Sequence, residues 1–192
     1  MAKPLSDYEI LLGVSGGIAA YKAAQLCSLL VQQGAAVTVA MTENARRFVQ
    51  PLTFRTLSGR RVYTDTFAAE NEYDIHHISL TERADLLVVA PATANILAKA
   101  AAGICDELLS NLLCSADSAI LAAPAMNRRM WENPATRRNV EILRQFGYHF
   151  ISPESGHLAC GDEGIGRMSE PADILACIIE MLSQKKPKRH LL

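Results

Sequence analysis

The chain is 192 residues long and 49% hydrophobic, with 19 basic against 20 acidic side chains and a net charge of −1. A single domain with a sizeable core fits that length, the charge balance argues against a nucleic-acid footprint, and no apolar run reaches the ~20 residues of a membrane span. Five cysteines, Cys27, Cys105, Cys114, Cys160 and Cys177, form no C-x-x-C pair and five histidines show no ligand spacing, so neither a disulfide framework nor a metal site is expected.

Met1 to Asp7 lack the charged and apolar regions of a secretory signal, which predicts a cytoplasmic protein. Residues 9–14 read as a buried strand, broken by Ser15-Gly16-Gly17 ahead of a helix over 19–33 that Gly34 closes as a left-handed cap. An apolar strand over 36–41 completes a βαβ unit with a right-handed crossover and parallel pairing. Free amides at the helix N-terminus, the Ser15 hydroxyl and the bare Gly16 and Gly17 make an anion pocket. The turn matches neither G-x-G-x-x-G nor G-x-x-x-x-G-K-[ST], so a monophosphate suits it better than a dinucleotide or triphosphate, and a ligand-free tight turn is the alternative. Thr42 and Asn44 add polar groups at the second strand's carboxyl end, or serve as helix caps and nothing more. Short helices over 45–49 and 52–57 are split at Pro51 and ended by Gly59.

Residues 60–73 have weak periodicity, with strand character only at 62–64. His76 and His77 fall in a polar connector over 74–80; adjacent residues point different ways, so at most one serves a given site, and a structural hydrogen-bonding role is the other reading. The clearest strand, 85–91, ends in Ala92-Thr93-Ala94-Asn95, which caps a helix to 102 and can rim a flat ring. A helix over 106–116 and a strand over 119–123 lead to Pro124-Ala125-Met126-Asn127, an amide at the sheet's ligand edge, and then to Met130-Trp131, exposed apolar bulk for a substrate or subunit contact. A helix over 134–146 stops at Gly147 before a last strand at 148–151. The segment 156–168 holds four glycines and Cys160 and is too irregular for helix or strand, so it is either a mobile thiol-bearing loop or a plain connector. A helix over 170–184 closes the chain; Cys27, Cys114 and Cys177 read as core and Cys105 is ambiguous.

The expected architecture is a single doubly wound, flavodoxin- or Rossmann-like α/β domain over 1–184 with a mostly parallel sheet of five or six strands, followed by a basic disordered tail at 185–192. Several strand ends converge on one edge and outline a mononucleotide site.

Five co-linear motifs, Ser15-Gly-Gly-Ile-Ala-Ala-Tyr-Lys, His77-Ile-x-Leu, Pro91-Ala-Thr-Ala-Asn, Pro124-Ala-Met-Asn-x-x-Met-Trp and Leu158-Ala-Cys-Gly-Asp-x-Gly-x-Gly-Arg-Met, run in order through the chain. Together they resemble the homo-oligomeric flavin-containing cysteine decarboxylases, most closely the phosphopantothenoylcysteine decarboxylases of coenzyme A synthesis. The resemblance implies FMN as cofactor, with Ser15, Gly16 and Gly17 on its phosphate, Thr42 and Asn44 near the ribityl chain, and Thr93, Ala94, Asn95, Ile96 and Ala125 along the isoalloxazine. It further implies His77 as an active-site histidine, Asn127 on the substrate carboxylate, Met130, His157, Leu158 and Ala159 in contact with substrate, and Cys160 as proton donor. Trimers, or dodecamers built from trimers, with the flavin at a subunit interface, are usual in such proteins. Ser79 departs from the frequent glutamate. A bifunctional bacterial member would continue into a ligase domain, so a monofunctional enzyme or an isolated half is expected.

The implied chemistry is coherent, because an α-amino thiol carboxylate has no electron sink for the carbanion left by CO₂ and needs a cofactor to create one. Oxidation to a thioaldehyde, loss of CO₂ and re-reduction of the enethiol meet that need, with a loop thiol as the acid. On this reading the glycines of 156–168 are hinges of a flap that orders with ligand. A peptidyl-cysteine decarboxylase uses the same chemistry on another substrate. A non-enzymatic regulator on this fold would be expected to lack His77, Asn127 or Cys160, and a flavin prenyltransferase would not need the Pro-Ala-Met-Asn or Ala-Cys-Gly motifs.

Overall fold

The structure is a computed structural model that describes residues 3–65, 76–157 and 163–188, with the backbone alone at 76, 77 and 157. Strand β1 (Glu9–Val14) leads into helix α1 (Ala20–Gln32), which ends at Gly34 with a φ of 96°. Then come β2 (Ala36–Met41), the short α2 (Glu43–Arg46), α3 (Pro51–Ser58) and β3 (Val62–Tyr63). The second half runs α4 (His76–Arg83), β4 (Leu86–Ala92), α5 (Ala94–Ala102), α6 (Leu108–Ser115), β5 (Ala119–Pro124), α7 (Arg128–Glu132), α8 (Pro134–Gln145) and β6 (His149–Phe150). A two-stranded ribbon, β7 (Glu154–His157) and β8 (Glu163–Arg167), precedes the last helix, α9 (Pro171–Ser183).

Six strands form one parallel sheet in the order β3-β2-β1-β4-β5-β6. Strands β1, β2, β4 and β5 are apolar almost throughout because helices cover both faces, as parallel crossovers require. Ile10, Leu12 and Val14 point into one core layer with α1, α3 and α9, while Leu11 points into the other with α5, α6 and α8. At Gly13 a Cβ would sit 2.5 Å from Leu109 Cδ1, so α6 lies directly on the β1 backbone there. The chain departs from β1 to β2 on one side and returns to β4 on the other, and that reversal opens a crevice at the strands' carboxyl ends.

Two segments differ from expectation. The polar connector foreseen over 74–80 is helical from His76, since a short helix that, among its described side chains, buries Thr81 alone and half-buries Leu80 leaves little apolar period to read. The segment 156–168, expected to be irregular, carries the end of β7 and all of β8, paired antiparallel with Gly156 opposite Gly164 and His157 opposite Glu163. Two of its glycines lie within β8. Gly164 and Gly166 have φ values of 152° and 146°, a Cβ on Gly166 would overlap the Met126 carbonyl oxygen and one on Gly164 the Arg128 side chain, and Met126 N donates to Gly166 O at 2.9 Å. They permit close approach of β8 to the loop after β5. Residues 158–162 lie outside the described residues.

The basic terminus, expected to be disordered from Lys185, is held as far as Lys188. Tyr8 Oη donates to the carbonyls of Leu182 and Lys185, and Lys188 N donates to Asp85 Oδ1. Cys114, expected in the core, is exposed, because the last turn of α6 emerges from the second layer; Cys27 is buried and Cys177 half-buried.

Gly166→Ala should cost about 2–4 kcal/mol in urea unfolding, from backbone strain plus displacement of β8. Gly59→Ala, which meets nothing within 4 Å at a φ of 66°, should lose only about 1 kcal/mol.

Candidate functional site

The carboxyl ends of β1, β2, β4 and β5 open into one cavity of about 1020 Å³. All ten cofactor positions foreseen from the sequence line it: Ser15, Gly16, Gly17, Thr42, Asn44, Thr93, Ala94, Asn95, Ile96 and Ala125. Asn127 and Met130 line it as well. His77 lies in the first turn of α4 and His157 at the end of β7, while Leu158, Ala159 and Cys160 fall outside the described residues.

Local sequence explains how each turn is made. Thr42 caps α2 by accepting from Ala45 N at 3.2 Å, Thr93 caps α5 through Ile96 N at 3.5 Å, and Asn127 caps α7 through Arg129 N at 2.8 Å. The Asn127 bond commits its amide oxygen as an acceptor, which makes the NH₂ the end able to donate. A Cβ on Gly16 would come within 2.8 Å of the Asn44 carbonyl carbon, so the turns after β1 and β2 touch through bare backbone.

Ser15 does something other than expected. Ser15 is 1% exposed, and its hydroxyl donates to Pro91 O at 2.7 Å and accepts from Thr93 N at 3.1 Å, tying the turn after β1 to the turn after β4. The anion-binding capacity of this corner therefore rests on the amides of Gly16, Gly17 and Ile18, which have no acceptor among the described residues.

Several lining residues escaped the sequence reading. Ile18, Tyr21, Lys22 and Gln25 follow Gly17 at helical spacing on the same face of α1, and Lys99 stands one turn beyond Asn95 on α5, so period alone would have found them. Arg167 and Glu170 reach the cavity from the far end of the chain; Arg167 falls in the last of the five motifs without a role assigned there, and no local signal marks Glu170. Lys22, 5% exposed, donates to Met168 O at 3.0 Å and to Glu170 Oε1 at 2.9 Å. Glu170 also pairs with Arg167, and its backbone N–H donates to Glu154 Oε1 at 3.1 Å. Hydrogen bonds from Lys22 and then Arg167 hold the Glu170 carboxyl below its ordinary value of 4.5. Across the cavity, Lys99 Nζ lies 2.8 Å from both Asp106 Oδ1 and Glu107 Oε1. Among the described residues, no three His, Cys, Asp or Glu side chains gather as a metal site, and no helix is long and apolar enough to cross a membrane.

Residues 2–183 match the model of the family named Flavoprotein. The chain belongs to this flavoprotein family. Among curated relatives, the coenzyme A biosynthesis bifunctional protein CoaBC of Bacillus subtilis is 53% identical over 171 residues, covering 89% of this chain and 42% of that protein. The CoaBC of Escherichia coli K12 is 40% identical over 187 residues, 97% of this chain and 46% of that protein. The chain thus spans less than half the length of these relatives. Among solved structures, a cysteine-to-serine mutant of PPC decarboxylase complexed with pantothenoylaminoethenethiol superposes with a TM-score of 0.84 at 34% identity, over 92% of this chain and 99% of that chain. The FMN binding protein AtHal3 superposes with a TM-score of 0.82 at 33% identity, over 94% and 99%.

Because folding depresses the Glu170 pKa, its contribution to stability is full above the unfolded value and is lost as pH falls through the folded one. Glu170→Gln should therefore lower Tm at pH 7 by about 2–4 °C. The gap to the parent should close as the pH is taken well below 4.5 in a thermal-melt series.

Proposed function

We propose that this chain is an FMN-dependent decarboxylase that converts 4'-phosphopantothenoylcysteine to 4'-phosphopantetheine in coenzyme A synthesis. One observation carries the reading: at the switch between β1 and β4, a single cavity joins an open-amide turn, a small-residue wall and an asparagine amide from three distant parts of the chain. The match to a PPC decarboxylase along 99% of that protein's chain, and the CoaBC relatives, favour the small substrate over a peptide.

The residues fit a flavin monophosphate. The bare Gly16 cradle and the amides of Gly16, Gly17 and Ile18 suit its phosphate, Thr42 and Asn44 would hold its ribityl chain, and Thr93 to Ile96 with Ala125 would line its planar ring. Ser15 serves this cradle by fixing Thr93. When bound, FMN supplies the two-electron acceptor and donor that an amino thiol carboxylate lacks.

The remaining steps fall to side chains of this chain. Asn127 donates its NH₂ to the substrate carboxylate and holds it until CO₂ leaves, Met130 packs on the substrate with His157, Leu158 and Ala159, and His77 serves as the active-site histidine. Cys160 protonates carbon as the enethiolate is reduced. A second copy of the chain covers the cavity mouth, where Ile18 and Tyr21 are each 59% exposed and Met130 48%, in a trimer or a dodecamer of trimers. The decarboxylase domain occupies 1–184 and works in the cytoplasm.

The purified protein should be yellow, carry FMN identified by mass, and release CO₂ from phosphopantothenoylcysteine but not from a peptide ending in cysteine. A colourless protein that stays inert with added FMN would overturn the reading. Cys160→Ser should still evolve CO₂ but accumulate the enethiol, seen as near-ultraviolet absorbance, and formation of normal product at the parent rate would remove the acid role. Gly16→Ala, whose Cβ has no space beside Asn44, should weaken FMN binding by at least about tenfold, by fluorescence titration of apoprotein.

A further inference from the structure

On the reading above, two phosphates and a carboxylate enter the cavity, and one of these anions has no partner. The open amides of Gly16 to Ile18 suit the FMN phosphate, and the Asn127 NH₂ suits the substrate carboxylate. The phosphate at the far end of the substrate is left over. Among the described residues that line the cavity, the positive charges are Lys22, Lys99 and Arg167. Lys22 is buried and held by Met168 O and Glu170, while the Lys99 side chain, 19% exposed, is held between Asp106 and Glu107. Neither ammonium can turn to a ligand without leaving a carboxylate. Arg167 is different. Its side chain is 41% exposed, and both of its carboxylate contacts, to Glu170 and to Glu154 at 3.8 Å, go through Nη2. Among the described residues, its Nη1 donates to no acceptor and its Nε–H is enclosed with none in reach.

We propose that Arg167 is the residue that recognises the 4'-phosphate of the substrate, an inference that rests on the decarboxylase reading. A planar guanidinium with N–H groups to spare meets two phosphate oxygens at once, through charge-assisted bonds stronger than neutral ones. The enclosed Nε–H gives up no hydrogen bond when the side chain turns, and it gains an oxyanion. Glu170 keeps Lys22 as its cation when Arg167 swings away, so the move strands no carboxylate. The placement agrees with the two ends of the substrate. Successive side chains on a strand point to opposite sides, and Gly166 faces the Met126 carbonyl in the loop that bears Asn127. Arg167 therefore points the other way, toward Glu170 at the start of α9. Carboxylate and phosphate are met on opposite sides of β8, as suits a molecule that carries them at opposite ends. Tyr21 and Gln25, which flank Lys22 on α1, line the same cavity.

The FMN-loaded full chain is assayed for CO₂ release from phosphopantothenoylcysteine and from pantothenoylcysteine, which lacks the phosphate. In the parent, loss of the phosphate should raise KM by about tenfold or more and leave kcat within about twofold. Arg167→Gln should raise KM for the phosphorylated substrate by the same factor and move that for pantothenoylcysteine by less than about twofold, so that the variant no longer tells the two apart. Arg167→Lys should fall between, because it keeps the charge and loses the fork. Flavin absorbance and Tm check that each variant is folded. Inhibition of the parent tests the same contact with no substitution: phosphopantothenate should bind at least about tenfold more tightly than pantothenate. Equal KM values for the two substrates in the parent, equal inhibition by the two pantothenates, or an equal rise of both KM values in Arg167→Gln would overturn the proposal. A flavin-loaded parent that releases CO₂ from neither substrate would overturn the decarboxylase reading, and the proposal with it.

Discussion

The hydroxyl of Ser15 joins the two turns that flank the switch point of the sheet, and the arrangement of the site depends on that link. With Pro91 O and Thr93 N as its partners, it fixes the start of α1 relative to the start of α5, so that two helix N-termini face one cavity. Such a bond is worth only about 1 kcal/mol to stability, but a buried hydroxyl or amide left alone would cost more, which makes the geometry hard to relax. Gly16 extends the same constraint to the turn after β2 by direct contact with Asn44.

A second layer of constraint comes from the far end of the chain. Lys22 reaches from α1 to Met168 and Glu170, and Met126 donates to Gly166 of the ribbon. The loop bearing Asn127 is thereby held, through β8 and the segment before α9, at a set distance from the turn of Gly16 and Gly17. A buried ammonium is costly to desolvate, and Lys22 offsets this with a carbonyl and a carboxylate together.

The two edges of the sheet treat polar groups differently. At the amino edge the carboxylates are engaged within the protein: Asp85 accepts from the amides of Glu9 and Lys188, and Glu9 pairs with Arg60 and Thr38. At the carboxyl edge the amides of Gly16 to Ile18 are left open among the described residues. Unused donors at one edge and satisfied acceptors at the other mark where a ligand belongs in a parallel sheet.

The sequence by itself determined the main strands, the glycine turns and the caps, because these rest on apolar period and on residues acting within four positions of themselves. Strands β1 and β2 begin and end where the pattern placed them, and β4 and β5 do so within a residue. Three of the five motifs, with the polar pair after the second strand, also marked twelve of the positions that line the cavity. Only the tertiary structure decided that 154–157 and 163–167 pair as a ribbon and that Gly164 and Gly166 lie close to the loop after β5. It alone gave Ser15 to Thr93, and Arg167 and Glu170 to the cavity. Each of these rests on contacts between residues far apart in the chain, whose cost and gain no local pattern records.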